Sequence, residues 1–153
     1  MRKLLLALGA VFGVLLIVIC AGVAFVVVKG NALDKESHAY VDNALPAIML
    51  HWSQDELTRR ASPEFLRAIN SDDLAKLLSA FHRKLGDLAQ YKGSKGDAMM
   101  ALTTQNGKVI TANYIATADF EQGPATIQMK LIKHDNNWQI LGFHVESKVL
   151  LER

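Results

Sequence analysis

From Leu4 to Val28 the chain runs for 25 residues without a charge or an amide side chain. Beyond this run the apolar residues fall at helical spacing to about Tyr91, and from Ala98 they alternate with period two. As a helix the first run would measure roughly 37 Å at ~1.5 Å per residue. That is enough to cross a hydrocarbon core about 30 Å thick with some tilt. A cleaved export signal has an apolar core of only about 7–15 residues and ends in small residues. Here Gly22-Val23-Ala24 leads into four more apolar residues, and Cys20 follows Ile17, Val18 and Ile19 instead of the small residues of a lipoprotein signal. The run is therefore expected to be an uncleaved anchor, residues 1–29, followed by one domain, residues 30–153.

Arg2 and Lys3 precede the run, and only Lys29 follows it before Asp34. The positive-inside tendency then keeps the N-terminus in the cytoplasm and puts the domain outside, in the periplasm if the cell is bacterial. The expectation is a single-pass protein of the inner (cytoplasmic) membrane.

Within the domain, Leu33, Val41, Leu45, Ile48 and Trp52 form one helical stripe, which Pro46 is expected to kink. Ser53-Gln54-Asp55-Glu56 reads as a capping box opening a short helix to about Ala61. Ser62-Pro63-Glu64 opens another, with serine as cap and proline in the first turn. Asn70-Ser71-Asp72-Asp73 opens the most strongly patterned one. Its stripe of Leu74, Leu77, Leu78, Phe81, Leu85 and Leu88 is expected to end at Tyr91 and to pack on the strands. Lys92-Gly93-Ser94-Lys95-Gly96 reads as a loop. Four strands are then expected, at Ala98–Thr104, Lys108–Phe120, Thr126–His134 and Trp138–Ser147. Asn106-Gly107, Gln122-Gly123-Pro124 and Asp135-Asn136-Asn137 would turn the chain between them. Helices followed by a meander predict an α+β fold: helices packed on one face of a curved four-stranded antiparallel sheet.

Charge changes this picture little. Removing Arg2, Lys3 and Lys29 from the 17 basic residues leaves 14 against 15 acidic ones, so the domain is near neutral and offers no basic stripe for nucleic acid. The single cysteine, Cys20, lies in the apolar run, so the domain has no disulfide of its own.

The helices-then-meander order from Leu33 to Ser147, closing on Asn136-Asn137-Trp138-Gln139-Ile140-Leu141-Gly142-Phe143, resembles the cystatin-like and NTF2-like superfamily of small domains. Bitopic assembly factors of type IV secretion systems are similar in layout, with a longer cytoplasmic tail than the three residues here. The superfamily holds isomerases, dehydratases, binding modules and assembly proteins, so the resemblance implies a fold and leaves the activity open.

The five histidines, His38, His51, His82, His134 and His144, show no H-x-x-x-H or H-E-x-x-H spacing, and no metal or cofactor is expected. In NTF2-like isomerases an acid and a tyrosine face the concave side of the sheet. Tyr114 and Asp119 imitate the pair but differ by an odd number, which puts them on opposite faces of a regular strand. There is no nucleophile motif, P-loop or dinucleotide fingerprint, so no catalytic residue is expected. A pocket between helix and sheet would be lined by His51, Trp52, His82 and Tyr114.

The last strand reads as apolar on both sides, with Trp138 and Ile140 on one and Leu141, Phe143 and Val145 on the other. With Ile115 and Ile132 these residues form the expected interaction face. The function expected is a non-enzymatic anchored module that binds an envelope protein or forms a homodimer. A ligand-binding or enzymatic pocket domain is the alternative.

Overall fold

The computed structural model describes residues 30–103 and 107–151. The expected anchor, Thr104 and the Asn106 half of the first hairpin turn lie outside them. Among the described residues no helix is long and apolar enough to cross a membrane. The chain divides into two compact units, Met1–Leu33 and Asp34–Arg153. Of the first, residues 30–33 are described and are helical.

The second unit is α+β. Helix α1 is helical over 30–49 and gives this unit its residues from Asp34 onward. Three helices follow, α2 (Gln54–Arg60), α3 (Pro63–Ala68) and α4 (Ser71–Leu85). Then come β1 (Leu88–Thr103), β2 (Gly107–Phe120), β3 (Gly123–His134), β4 (Asn137–Glu146) and a last turn of helix, α5 (Lys148–Leu151). The strands form one antiparallel sheet in the order β1-β2-β3-β4.

The helix starts follow their caps. The Ser53 hydroxyl accepts from the amide of Glu56, that of Ser62 from Phe65, and the Asn70 side-chain oxygen Oδ1 from the Asp73 amide at 2.8 Å. Only half of the expected capping box forms, because the Glu56 carboxylate turns to Arg59 and Arg60. Pro46 does not interrupt α1, which stays helical to residue 49.

Three expectations are corrected. The main cover of the sheet is α1, not α4: Val41, Ala44, Leu45, Ile48 and Met49 have no exposed surface. On α4 only Leu74, Leu78 and Leu85 are buried, Phe81 is half-buried and Leu77 is 40% exposed. The amphipathic stripe of α4 is real, but part of it lies at the margin of the core.

Second, α4 ends at Leu85 and not at Tyr91. Gly86 takes φ 77, and its amide closes the last turn on the His82 carbonyl at 2.8 Å. Leu88 satisfies helical spacing from Leu85 by coincidence; it already pairs with Phe120 in the sheet. The expected loop Lys92–Gly96 is likewise strand, with register irregularities at Leu88/Gln90 and Tyr91/Ser94. Gly96 is needed there, since a Cβ would stand 1.9 Å from the Asn113 carbonyl oxygen.

Third, the two-sided apolar pattern of β4 is produced by a β-bulge. Ile140 pairs with Leu131, yet Gly142 already pairs with Lys130, leaving Leu141 as the extra residue. One extra residue reverses the parity of all that follow. Phe143, opposite Met129, and Val145, opposite Ile127, thereby rejoin the face of Trp138 and Ile140. That face carries Ala112, Tyr114, Ala116 and Ala118 of β2 and Ile127, Met129 and Leu131 of β3, all buried against the helices. Ile110 is half-buried on β2 beyond the last β2–β3 pair.

The turn between β2 and β3 is shorter than expected, since Gly123 and Pro124 already pair with Phe120 and Asp119 and leave only Glu121 and Gln122 between the strands, whereas the β3–β4 turn behaves as its sequence requires. Asp135 and Asn136 both adopt positive φ, 48 and 68, in the two-residue turn between His134 and Asn137. Along β4, the Ile140 carbonyl accepts from the Ser62 amide at 2.8 Å, and Ala61 bridges to the same residue. Part of that edge is thereby capped by the α2–α3 junction.

Candidate functional site

Among the described residues, an extended set of converging polar groups joins α1 to β1. Ser37, His38 and Asp42 lie on successive turns of α1. Opposite them stand Tyr91 and Ser94 at the irregular part of β1, and Tyr114 on β2. Asp42 Oδ1 accepts from the Tyr91 hydroxyl and from Ser94 Oγ, each at 2.7 Å. His38 Nε2 lies 3.3 Å from Asp42 Oδ2 and 3.1 Å from the Ser94 carbonyl. Two acceptors facing one ring nitrogen identify it as the protonated one. The His38 ring stacks on Tyr114 at 5.6 Å between centroids. The Tyr114 hydroxyl is 2.8 Å from Ser37 Oγ, and both lie 3.2 Å from the Asp34 carbonyl.

Burial raises the pKa of both tyrosines above the ordinary phenol range, and the hydrogen bond to Asp42 adds to the effect at Tyr91. Both stay protonated donors at neutral pH. The Ser94 proton is committed to a carboxylate, and the His38 nitrogen that meets Ser94 donates instead of accepting. The pieces of a nucleophile–base pair are therefore present without its connectivity. The arrangement acts as a clamp: it holds α1 across the sheet and satisfies polar groups that burial would otherwise strand.

A second cluster lies at the other end of α1. His51 Nδ1 and His82 Nε2 each stand 3.1 Å from Asp87 Oδ1, tying the end of α1 to the α4–β1 junction. The four expected pocket residues therefore separate. His51 and His82 meet at an exposed carboxylate. Trp52 is buried beside them, stacked on Phe120 and tilted against Phe81, with its Nε1 donating to the Gly86 carbonyl at 2.9 Å. Tyr114 belongs to the clamp at the far end. Asp87 itself was not singled out from sequence; its partners lie 36 and 5 residues away, and only the fold shows them together. Among the described residues no group of His, Cys, Asp and Glu could hold a metal ion.

The hydrogen bond from His51 is the largest influence holding the Asp87 carboxyl below its ordinary value of 3.8, and His82 adds to it. The folded state binds protons at this site less readily than the unfolded chain. The contribution of Asp87 to stability is thus complete above its ordinary value and is lost as pH falls through the depressed one. Asp87→Asn is expected to flatten the acid limb of the stability–pH curve, measured as denaturant midpoints from pH 6 downward. An unchanged acid limb would show that the histidines do not hold this carboxylate in solution.

The seven residues of the expected interaction face do not share one face. Trp138, Ile140 and Val145 are core, Phe143 is half-buried on the same side, and Leu141 is the half-buried bulge residue. Only Ile115 and Ile132 look outward. Ile115 is 55% exposed between Lys95 and Gln128, and Ile132 is half-buried between Thr111 and Gln139. Asp119 is also on the outward side, paired with Lys92 at 2.7 Å, as the parity against Tyr114 requires.

An apolar groove of about 900 Å³ opens beside α5. Ala118, Ala125, Val145, Val149 and Leu150 line it, together with the Lys92–Asp119 ion pair. The sequence offered no signal for it, because α5 is a single turn with no periodicity to read. Comparison of the chain with protein-family models, curated proteins and solved structures gave no significant match.

Proposed function

We propose that this is a single-pass membrane protein whose domain is a non-enzymatic extracytoplasmic module that binds an envelope protein or a second copy of itself. The anchor reading is supported by the uncharged run Leu4–Val28 and its flanking charges. The observation that carries the binding reading is the one-sided cover of the sheet. Among the described residues, the helices that build the core cover one side of the sheet, and no described helix covers the other. That outward face sets the large apolar side chain of Ile115, 55% exposed, and the half-buried Ile132 among Thr111, Gln128, Lys130 and His144. The polar clusters link elements of the fold to one another, in keeping with a structural role.

The test is photo-cross-linking of the full chain in its native membrane, with the reactive residue at position 115. The expected result is a discrete adduct with a protein or with a second copy. Ile132→Lys should remove it while costing about 1 kcal/mol or less, as for a half-buried position. Absence of any adduct would overturn the binding reading. A C-terminal alkaline phosphatase fusion should be active, and an inactive fusion would overturn the topology. The groove beside α5 favours a second reading, a carrier of a small apolar ligand. Co-purification of such a molecule with the cross-link-negative protein would select it.

A further inference from the structure

The β1–β2 hairpin extends past the rest of the sheet. β2 pairs with β3 only from Thr111 onward, whereas its pairing with β1 continues through Ala98↔Ala112 to Thr103↔Gly107. This projecting tip carries large exposed apolar side chains, Met99 at 58%, Met100 at 46% and Leu102 at 84%, with Val109 and Ile110 half-buried. From Ala98 to Gly107 the sequence has no charged residue, and Lys108 follows. A protruding, uncharged, apolar strand end is a liability in water unless something receives it.

The clamp tells which end of the domain the tip occupies. Asp34 Oδ1 accepts from the Ala98 amide at 2.7 Å, His38 meets Ser94, and Asp42 meets Tyr91. α1 and β1 therefore run in opposite directions, and β1 beyond Ala98 advances past Asp34, toward the end at which the chain enters the domain. The uncharged run ends at Val28, six residues before Asp34. Six residues reach at most about 21 Å. The strand from Ala98 to Leu102 gains roughly 13 Å in that direction, and a headgroup layer adds about 7 Å on each side of the hydrocarbon core. Full extension would leave the tip about 1 Å short of the interface, but residues 30–33 are helical and rise only ~1.5 Å each, so the tether is shorter than that limit and the tip can reach it.

We propose that the β1–β2 tip inserts Met99, Met100 and Leu102 into the interface of a lipid bilayer, with Lys108 extending its ammonium to the headgroups. The proposal rests on the anchored reading above. Insertion would give the domain a second attachment point beside its tether and fix which face it turns away from the membrane.

The test uses the full chain with Cys20→Ser, reconstituted in phosphatidylcholine vesicles with a minority of phosphatidylglycerol. An environment-sensitive fluorophore is attached at Leu102→Cys, or at Gln122→Cys in the turn at the opposite end of β2. A nitroxide on the lipid acyl chain should remove most of the emission at 102 and leave 122 unaffected, and an aqueous quencher should do the reverse. Equal aqueous quenching at both positions, in protein that floats with the vesicles, would overturn the insertion alone. Protection at 102 from both quenchers would mean that protein covers the tip, and would also overturn it. Protein that does not float with the vesicles would overturn the anchor, and the insertion with it.

Discussion

Trp52→Ala is expected to cost roughly 3–5 kcal/mol, the range for truncating a buried aromatic residue. Trp52 is 4% exposed, lies 5.1 Å from the ring centroids of both Phe81 and Phe120, and donates its indole N–H to Gly86. It therefore joins the end of α1, the end of α4 and the end of β2 at one point. Its backbone nevertheless sits at φ 52, a left-handed conformation that a bulky residue avoids. The reason is the way α1 stops: the Ser53 amide reaches back to the Ile48 carbonyl at 2.8 Å, and that closure requires a left-handed residue at position 52. Left-handed backbone costs an L-residue roughly 1–2 kcal/mol, of which glycine gives back about 0.5–1 kcal/mol as unfolded-state entropy. Trp52→Gly should thus be more stable than Trp52→Ala by up to about 1 kcal/mol, although it removes more atoms. Urea unfolding of the full chain, followed by the remaining tryptophan, Trp138, would decide it. An alanine variant as stable as the parent would show that this junction does not hold the three elements together.

The second large effect separates the two helices that compete for the core. Leu45→Ala on α1 is expected to cost roughly 2–5 kcal/mol, because Leu45 has no exposed surface. Leu77→Ala on α4 should cost about 1 kcal/mol or less, since Leu77 is 40% exposed. Phe81→Ala should fall between them: its ring is half-buried but packs on Trp52. Read by periodicity alone, Leu77 and Phe81 are core residues of the dominant helix and should rank with Leu45. Denaturant midpoints for the three variants give the order directly, and a Leu77→Ala loss as large as that of Leu45→Ala would return the core to α4.

The functional consequence of this arrangement is that α1 is both the helix nearest in sequence to the apolar run and the helix that organises the sheet. Through Asp34, His38 and Asp42 it grips β1, and through Trp52 it grips the ends of α4 and β2.

Much of this was legible in the sequence because it depends on neighbours in the chain. Ser53, Ser62 and Asn70 cap the helices that their own downstream amides begin. Asp135-Asn136 turns because both residues tolerate positive φ, and β2 and β3 alternate because one side meets helices and the other water. What only the tertiary structure decided depends on distant partners. The bulge at Leu141 leaves no mark in composition, yet it reverses the parity of Phe143 and Val145 and turns a two-faced strand into a one-faced one. Lys92 to Gly96 reads as a loop because glycine and lysine disfavour strands, and it becomes one because β2 and the α1 clamp supply its partners. α1 outranks α4 because burial is set by which helix crosses the sheet, a choice that two amphipathic stripes of similar quality leave open until they compete for the same surface.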